Sequence, residues 1–564
     1  MTPQARLSAA AEVLDQIART RAPADAVLKE WGRAHRFAGS GDRRAVREQV
    51  YACLRGRARY AWRMDADDGR ALVLGALAER DTLHEIETLF TGEGHAPAPL
   101  TDAERTRLHT RTEQPDYVRA GIPQWLAPEF ERAFGADWIA EAHALITDRA
   151  PVDLRVNTLK ATRESVEAEL DAANVQYEPT HLSEVGLRLH PETDIHALEV
   201  FKEGRIEIQD ESSQIAAWLS AAAPGMTVVD YCAGGGGKTL ALATLLHNEN
   251  DRHPGLVPGP SVSAEAQVQA GSHAPQHPNP LSKRNDGPRD KPGVTKTGES
   301  EENDNASVAP PFLFDRGRAG DGDVRRSFQD DARAAPTESV GARQHPTSNV
   351  LPTSPSPPSL HRGGRETLGS ESEQGRLIAC DVNPDRLAAI QPRLIRAGVT
   401  AELRPIGPSG QGTEDLAGQA NLVFVDAPCS GSGTWRRAPE APWRLTPDDL
   451  ARLHALQLQI LTQAATLVAP GGRLVYATCS ILPAEDEATA NAFATAHPQF
   501  RPLPIQEALD PSPRPRAGGA PNLTAQARTR LASLAGDSHM LRLSPRLSGT
   551  DGFFIALYQR TNDP

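Results

Sequence analysis

Short apolar runs alternate with helical patterns through the second half of the chain, and this alternation restricts the fold more than any other feature. The runs are MTVVD (226–230), RLIACD (376–381), NLVFVD (421–426) and GRLVYATCS (472–480). Between them lie KTLALATLLH, DRLAAIQPRLIRAG and LARLHALQLQILTQAATLV, whose apolar residues recur at helical spacing. Strands joined through helices pair in parallel, so the expected fold class is α/β with a mostly parallel sheet. The last two runs, HMLRLSP and DGFFIALYQ, are separated only by a Gly/Asp-bearing loop and predict an antiparallel hairpin at the sheet edge.

The preceding residues have a different texture. Leu7, Ala10, Ala11, Leu14 and Ile17 recur at helical spacing, and similar patterns cover 43–60 and 71–90, which predicts an all-α domain over 1–145. From about residue 150, PVDLRVNTLK reads as a strand and TRESVEAELDAA as a helix capped by Thr162, giving a small α+β segment over 146–205. The third part, 206–564, is interrupted at 248–375. There the sequence is rich in Pro, Ser, Gly, Asp and Arg, as in LPTSPSPPSLHRGG, and the expectation is a disordered insertion in one loop.

A formal net charge of -13 argues on its own against a nucleic-acid partner. Arginines nevertheless cluster at Arg43, Arg44, Arg47, Arg55, Arg57, Arg59 and Arg63, and again at Arg436 and Arg437. This pattern fits either a basic surface or a solvated helix face. Five cysteines without regular spacing suit a reducing compartment, and no Cys/His cluster has zinc-ligand spacing. No signal-peptide pattern opens the chain and no run of about 18 apolar residues occurs, so a cytoplasmic protein without membrane or metal is expected.

Ligands of open α/β sheets bind beyond the carboxyl ends of the strands, which directs attention to Asp230 with YCAGGGGKT, Asp381, Asp426 with APCSGSG, and Cys479. The glycines 234–237 allow close backbone approach, and the helix start after them favours an anion. An ATP-binding loop is the competing reading and is disfavoured, because Cys232 stands where the first glycine of G-x-x-x-x-G-K-[ST] belongs and no second motif to hold magnesium is seen. Asp381 suits a ribose diol, of NAD or of S-adenosylmethionine alike, and alternatively an acidic helix cap beside Pro384. Cys429 and Cys479 stand at strand ends as candidate nucleophiles, the alternative for each being an inert buried thiol.

DYCAGGGGKT, DAPCSGSGTWRRAPE and YATCSILPAEDE, in this order, resemble the bacterial RsmB/Sun branch of the RNA cytosine-C5 methyltransferases; IQDESSQIAAWL and DGFFIALYQR resemble it too. The resemblance implies a class I, Rossmann-like methyltransferase fold and S-adenosylmethionine as cofactor. It implies Cys479 as the nucleophile, Cys429 as the residue assisting release of methylated RNA, and Asp426 between cofactor and base, facing N3. Cys232, Ala233, Gly234, Gly235, Gly236, Gly237 and Lys238 would cradle the methionine end of the cofactor, with Asp381 on its ribose. Lys238 would also lie near the reacting groups, where its charge lowers a thiol pKa. The chemistry fits the residue type: C5 of cytosine becomes nucleophilic only after a thiolate adds at C6.

AAAEVLDQI and RFAGSGDRRAVREQVYACLRG resemble a NusB-like RNA-binding domain, which would give the arginine cluster phosphates to contact and the 146–205 segment an RNA-facing role. The implied partner is RNA, with small-subunit ribosomal RNA expected first and transfer RNA as the alternative, acted on by a monomer. A catalytically idle RNA-binding assembly factor is the competing function. Two departures bear on the cofactor. Gly234-Gly235 stand where the family carries Ala-Pro, and no acid follows the third strand, where LRPIGPSG runs past Gly407. The first predicts a looser loop and the second the loss of a contact to the adenine amino group, so weaker cofactor binding is expected.

Overall fold

The computed structural model describes residues 1–110, 113–190, 193–247, 375–510 and 523–562. The disordered insertion expected at 248–375 therefore lies outside the described residues, apart from Gly375.

The chain opens with a helix, Pro3–Thr20, capped by Thr2, whose hydroxyl accepts from the Ala5 amide. Its face of Leu7, Ala10, Val13, Leu14 and Ile17 is buried against Trp31, Val46, Val50, Leu54, Leu74 and Leu77 of later helices. Burial of each larger side chain contributes about 1.5–3 kcal/mol, which is what holds helices of this length together. The expected helix over 43–60 is two, Ser40–Arg55 and Arg57–Met64, broken at Gly56. The Tyr60 ring occupies the space a Cβ on Gly56 would need, 2.1 Å away. The pattern at 71–90 likewise resolves into Gly69–Leu77 and Leu83–Leu89, the second started by a Thr82–Glu85 capping box.

Next comes an antiparallel sheet of β1 (Val152–Val156), β2 (Tyr177–Pro179), β3 (Gly186–Leu189) and β4 (Ile206–Ile208), in the order β2-β3-β1-β4. The helix Arg163–Ala172 covers it, with Thr162 as its cap accepting from the Ser165 amide. β4 begins just past residue 205.

The central sheet contains β5 (Thr227–Asp230), β6 (Arg376–Asp381), β7 (Glu402–Pro405), β8 (Ala420–Asp426), β9 (Val468–Thr478), β10 (Phe500–Pro502), β11 (Met540–Leu543) and β12 (Phe553–Arg560). Its order is β7-β6-β5-β8-β9-β12-β10, with β11 on β12. The β7-to-β9 pairs are parallel, and β12 runs antiparallel to β9. The architecture is the expected mostly parallel α/β sheet preceded by a helical region. The hairpin differs in one respect: β12 lies inside the sheet, with β9 on one side and β11 and β10 sharing the other.

Alternate residues of the central strands feed two cores. Val228, Phe424, Val475 and Ile555 pack with Leu240 and Ile215, while Val229, Val423, Tyr476 and Phe554 pack with Leu461 and Phe493. Burial on both faces explains why these strands read as continuous apolar runs. The helix after β6 is split into Pro384–Ala388 and Gln391–Ala397, because Pro392 has no N–H to continue the first segment. β9 starts earlier and stops earlier than the run at 472–480 suggests, so Cys479 stands in the loop just beyond it. From β5 the chain steps outward to β6 and β7, then returns to β8 on the other side, so the switch point lies between β5 and β8.

Candidate active site

β8 and β9 are parallel neighbours in a register that sets Asp426 beside Ala477. The loops leaving both strands therefore start side by side, and the amide of Ala427 donates to the Ala477 carbonyl at 2.9 Å. That register brings the Sγ atoms of Cys429 and Cys479 to 3.3 Å, although 50 residues separate them. Both thiols are partly exposed and neither is in a disulfide. The Cys479 contact, reinforced by burial, pushes the Cys429 thiol well above the ordinary thiol range.

Glu485 ties the two cysteine loops together from beneath. One carboxylate oxygen accepts from the Ser430 amide at 2.7 Å and from Gln457 Nε2 at 3.0 Å. The other accepts the hydroxyls of Ser430 and Ser480, the second at 2.7 Å. Ser430 and Ser480 each follow a cysteine directly, so a single carboxylate fixes both. Burial raises the Glu485 carboxyl above the usual range, against the pull of these hydrogen bonds. The loops also close through the Gly433 amide donating to the Cys479 carbonyl at 3.0 Å, and through the Ile481 amide donating to Ser432 Oγ at 2.9 Å. Gly433 allows this closure, since a Cβ there would lie 2.0 Å from the Gly552 carbonyl oxygen.

Lys238, in the first turn of the helix Gly237–Leu245, reaches across to Asp426 with Nζ 2.7 Å from Oδ2. Its Nζ also sits 4.9 Å from the centre of the Phe553 ring. Burial opposes its charge, but the Asp426 carboxylate prevails and raises the ammonium above its ordinary range, with Cys479 adding to that field. The ion pair occupies Asp426 Oδ2 and leaves Oδ1 without a partner among the described residues.

Asp230, fully buried at the end of β5, accepts from Thr239 Oγ1 at 2.6 Å through Oδ2, while its Oδ1 has no partner among the described residues. Burial pushes this carboxyl up to about 7. Cys232 lies next in the loop, its thiol pushed up by burial and by the surrounding carboxylates. Ala233 donates its amide to the Cys380 carbonyl at 2.9 Å, and Gly236 donates to Ala233 at 2.8 Å. Gly236 has φ +79, and Ile390 stands 2.7 Å from where its Cβ would be, so glycine is required there twice over. Gly237 accepts from Gln209 Nε2 at 3.2 Å through its carbonyl.

Asp381 holds the loop: Oδ2 accepts from the Gly234 amide at 2.9 Å and Oδ1 from the Asn383 amide at 2.8 Å. The cap of the helix beside Pro384 is Asn383, which accepts from the amides of Asp385 and Arg386. Each Asp381 oxygen keeps a second lone pair. Val382, 52 % exposed directly after it, offers an apolar face beside the loop. A glycine cradle, a buried carboxylate oxygen lacking a donor, and an acid followed by an exposed apolar side chain together fit a nucleoside cofactor with a charged tail.

All the residues expected at the site, from Cys232 through Lys238 with Asp381, Asp426, Cys429 and Cys479, thus stand at the carboxyl ends of adjacent strands. Of the two readings of the arginine cluster, a basic surface or a solvated helix face, most of its members fit neither, being engaged with carboxylates, carbonyls and rings. Arg57 lies over Trp443 and 3.3 Å from Asp67; Arg59 pairs with Glu79; Arg63 donates to the carbonyls of Ala78 and Leu108. Arg436 is buried against Asp551, and Arg437 pairs with Asp551 and Asp210. Carboxylates and rings brought close by folding absorb these charges, while Arg43, Arg44 and Arg47 stay exposed, Arg44 pairing with Glu48 and Arg47 with Asp25 at the surface. Glu485, Gln457 and Val382 are the residues that sequence reasoning missed. Only the place of Glu485, six residues past Cys479 within YATCSILPAEDE, hinted at it.

Comparison with known proteins matches residues 362–559 to the family model described as 16S rRNA methyltransferase RsmB/F, and residues 122–196 to the RsmF/B-like ferredoxin-like domain. The ribosomal RNA small subunit methyltransferase B of Thermus thermophilus is 47% identical over 139 residues, covering 24% of this chain and 33% of that protein. The probable ribosomal RNA small subunit methyltransferase B of Bacillus subtilis is 24% identical over 440 residues, covering 77% of this chain and 65% of that protein. The matched part of this chain thus spans from about a third to just under two thirds of these relatives' length. The solved structure of PH0851 has the same fold, with a TM-score of 0.59 at 19% identity, covering 99% of this chain and 99% of that one.

Proposed function

This chain carries the methyltransferase and ferredoxin-like domains of the RsmB/F 16S rRNA methyltransferases, and on that premise we propose that it methylates C5 of a cytosine in small-subunit ribosomal RNA through a covalent adduct with Cys479. The observation that carries this reading is the pair of thiols, Cys429 and Cys479, 3.3 Å apart at neighbouring strand ends beside the Lys238–Asp426 pair.

S-adenosylmethionine, when bound, supplies an electrophilic methyl group. Residues 232–238 would hold its methionine end, Asp230 its ammonium side through the buried carboxylate, and Asp381 and Val382 its ribose and adenine. Cys479 adds as thiolate to C6 of the cytosine, which places the electron pair of the C5–C6 bond on C5. Cys429, its thiol pushed up and therefore protonated, donates a hydrogen bond to the attacking sulfur. Asp426 Oδ1 faces the pyrimidine N3, while Lys238 holds Oδ2 and fixes the carboxylate plane. After C5 accepts the methyl group, its proton leaves to solvent water, to which the partly exposed thiol pair is open. The C–H electrons re-form the C5–C6 double bond and Cys479 departs as thiolate, with Cys429 assisting that release.

Methyl transfer from labelled S-adenosylmethionine to unmethylated small-subunit RNA tests the proposal. Cys479→Ala abolishes incorporation, whereas Cys429→Ala accumulates a covalent protein–RNA complex visible as a slow band on a denaturing gel. Residual C5 methylation by Cys479→Ala rejects the assignment of the nucleophile. Bisulfite sequencing of RNA from cells lacking the protein identifies the cytosine, and a loss confined to transfer RNA would move the substrate class.

A further inference from the structure

Four successive glycines at 234–237 make an intrinsically deformable backbone, and among the described residues of the loop only the Gly236 amide bonded to the Ala233 carbonyl restrains it where the family carries Ala-Pro at 234–235. Further restraint comes from outside, from Asp381 on the Gly234 amide and from two arginines. Arg393, on the helix Gln391–Ala397, donates through Nη1 to the Gly235 carbonyl, and this nitrogen lies 3.6 Å from where a Gly235 Cβ would stand. Its Nη2 is anchored 3.0 Å from Oε2 of Glu207, a carboxylate on β4 that is 2 % exposed and also holds Arg396. Arg386 covers the neighbouring position, with Nη2 2.8 Å from where a Cβ on Gly234 would be.

We propose that Arg393, anchored by Glu207, is a positioning residue that presets the glycine loop for the cofactor in place of backbone stiffness. The inference rests on the reading of this loop as a cofactor site. Its physical basis is that ordering four glycines is costly: with the guanidinium in place that cost is met on folding, and without it the cost falls on ligand binding. Because Glu207 belongs to β4, the clamp also ties the small sheet to the loop, so an arginine on one element and a carboxylate on another act as one device.

Two measurements on the full chain test this. Hydrogen exchange of the peptide covering 232–238, in the absence of any ligand, is expected to quicken in Arg393→Ala. Calorimetry with S-adenosylmethionine is expected to give a Kd about tenfold higher, the effect of losing one charge-assisted hydrogen bond. Gly235→Pro added to Arg393→Ala is expected to restore both values, since the Gly235 amide donates to no group among the described residues. Arg393 is partly exposed, and a thermal melt verifies that the variants fold. Unchanged exchange in Arg393→Ala, or failure of the proline to restore protection, overturns the clamp. If the wild-type protein does not bind S-adenosylmethionine, the cofactor reading falls instead, and the exchange comparison still decides whether Arg393 orders the loop.

Discussion

Glu485 lies under both cysteine loops, and its effect on the reaction comes through their geometry alone. Glu485→Ala removes the acceptor for Ser430 N, Ser430 Oγ, Ser480 Oγ and Gln457 Nε2. Three of these retain other contacts: Gln457 Nε2 keeps the Pro428 carbonyl, Ser480 Oγ keeps Ser432 Oγ, and Ser430 Oγ keeps the Ser432 amide. The Ser430 amide and the Ser430 hydroxyl proton, whose oxygen only accepts from the Ser432 amide, are the two donors left without an acceptor, at roughly 1–3 kcal/mol each. Removing a carboxyl whose burial already raises its pKa offsets part of this. The expected net loss is about 3 kcal/mol, a fall in Tm of roughly 6–12 °C for a cooperative unit of about 150–250 residues. Activity should suffer far more, because a displacement of about 1 Å between reacting groups costs about a hundredfold. The assay is single-turnover methylation with saturating RNA, beside RNA affinity from filter binding. A kcat lowered about a hundredfold with unchanged RNA affinity is expected for Glu485→Ala, and a smaller loss for Glu485→Gln, which keeps one acceptor oxygen. A Glu485→Ala protein that folds and turns over within twofold of wild type would refute the claim that this carboxylate sets the sulfur–sulfur geometry.

Lys238→Met removes the ammonium from Asp426 while filling similar space, and single-turnover rates should fall by about two orders of magnitude with the melt little changed. Asp230 gives a pH test. Its folded pKa is raised from 3.8 to about 7, so its contribution is fully present below pH 4 and is lost as pH rises toward 7. At 1.36 kcal/mol per pKa unit the loss is about 4 kcal/mol at most, and Asp230→Asn should gain stability on wild type across that window in urea melts at successive pH values. Gly433→Ala drives a methyl group against the Gly552 carbonyl, and a fall of several degrees in Tm with loss of methylation is expected. Mild oxidation should join Cys429 to Cys479, blocking activity until a thiol reductant is added, as peptide mapping and assay together would read out.

The positions of Asp230, Asp381 and Asp426 are legible in the sequence, because each closes an apolar run whose helix or loop motif follows at once. Local periodicity encodes strand ends, and the α/β layout then sends every parallel strand end to one edge. The splitting of helices at Gly56 and Pro392 is also latent in single residues, although the apolar pattern runs through both. The arginine cluster could be read two ways because charge along a sequence does not say where the carboxylates will be. Asp551 is more than a hundred residues from Arg436 and Arg437, and only folding sets it against them.

Sheet class and the set of chemically able residues follow from local pattern and side-chain type, so the linear order of residues was enough to specify both. Three contacts came from folding in three dimensions: two sulfurs meet at 3.3 Å, Glu485 grips both of their loops, and Arg393 reaches Gly235. Apart from the local reach of Glu485 to Ser480, they depend on strand register and helix placement across 50 or more residues, which arise from packing the whole sheet and leave no periodic trace in the chain.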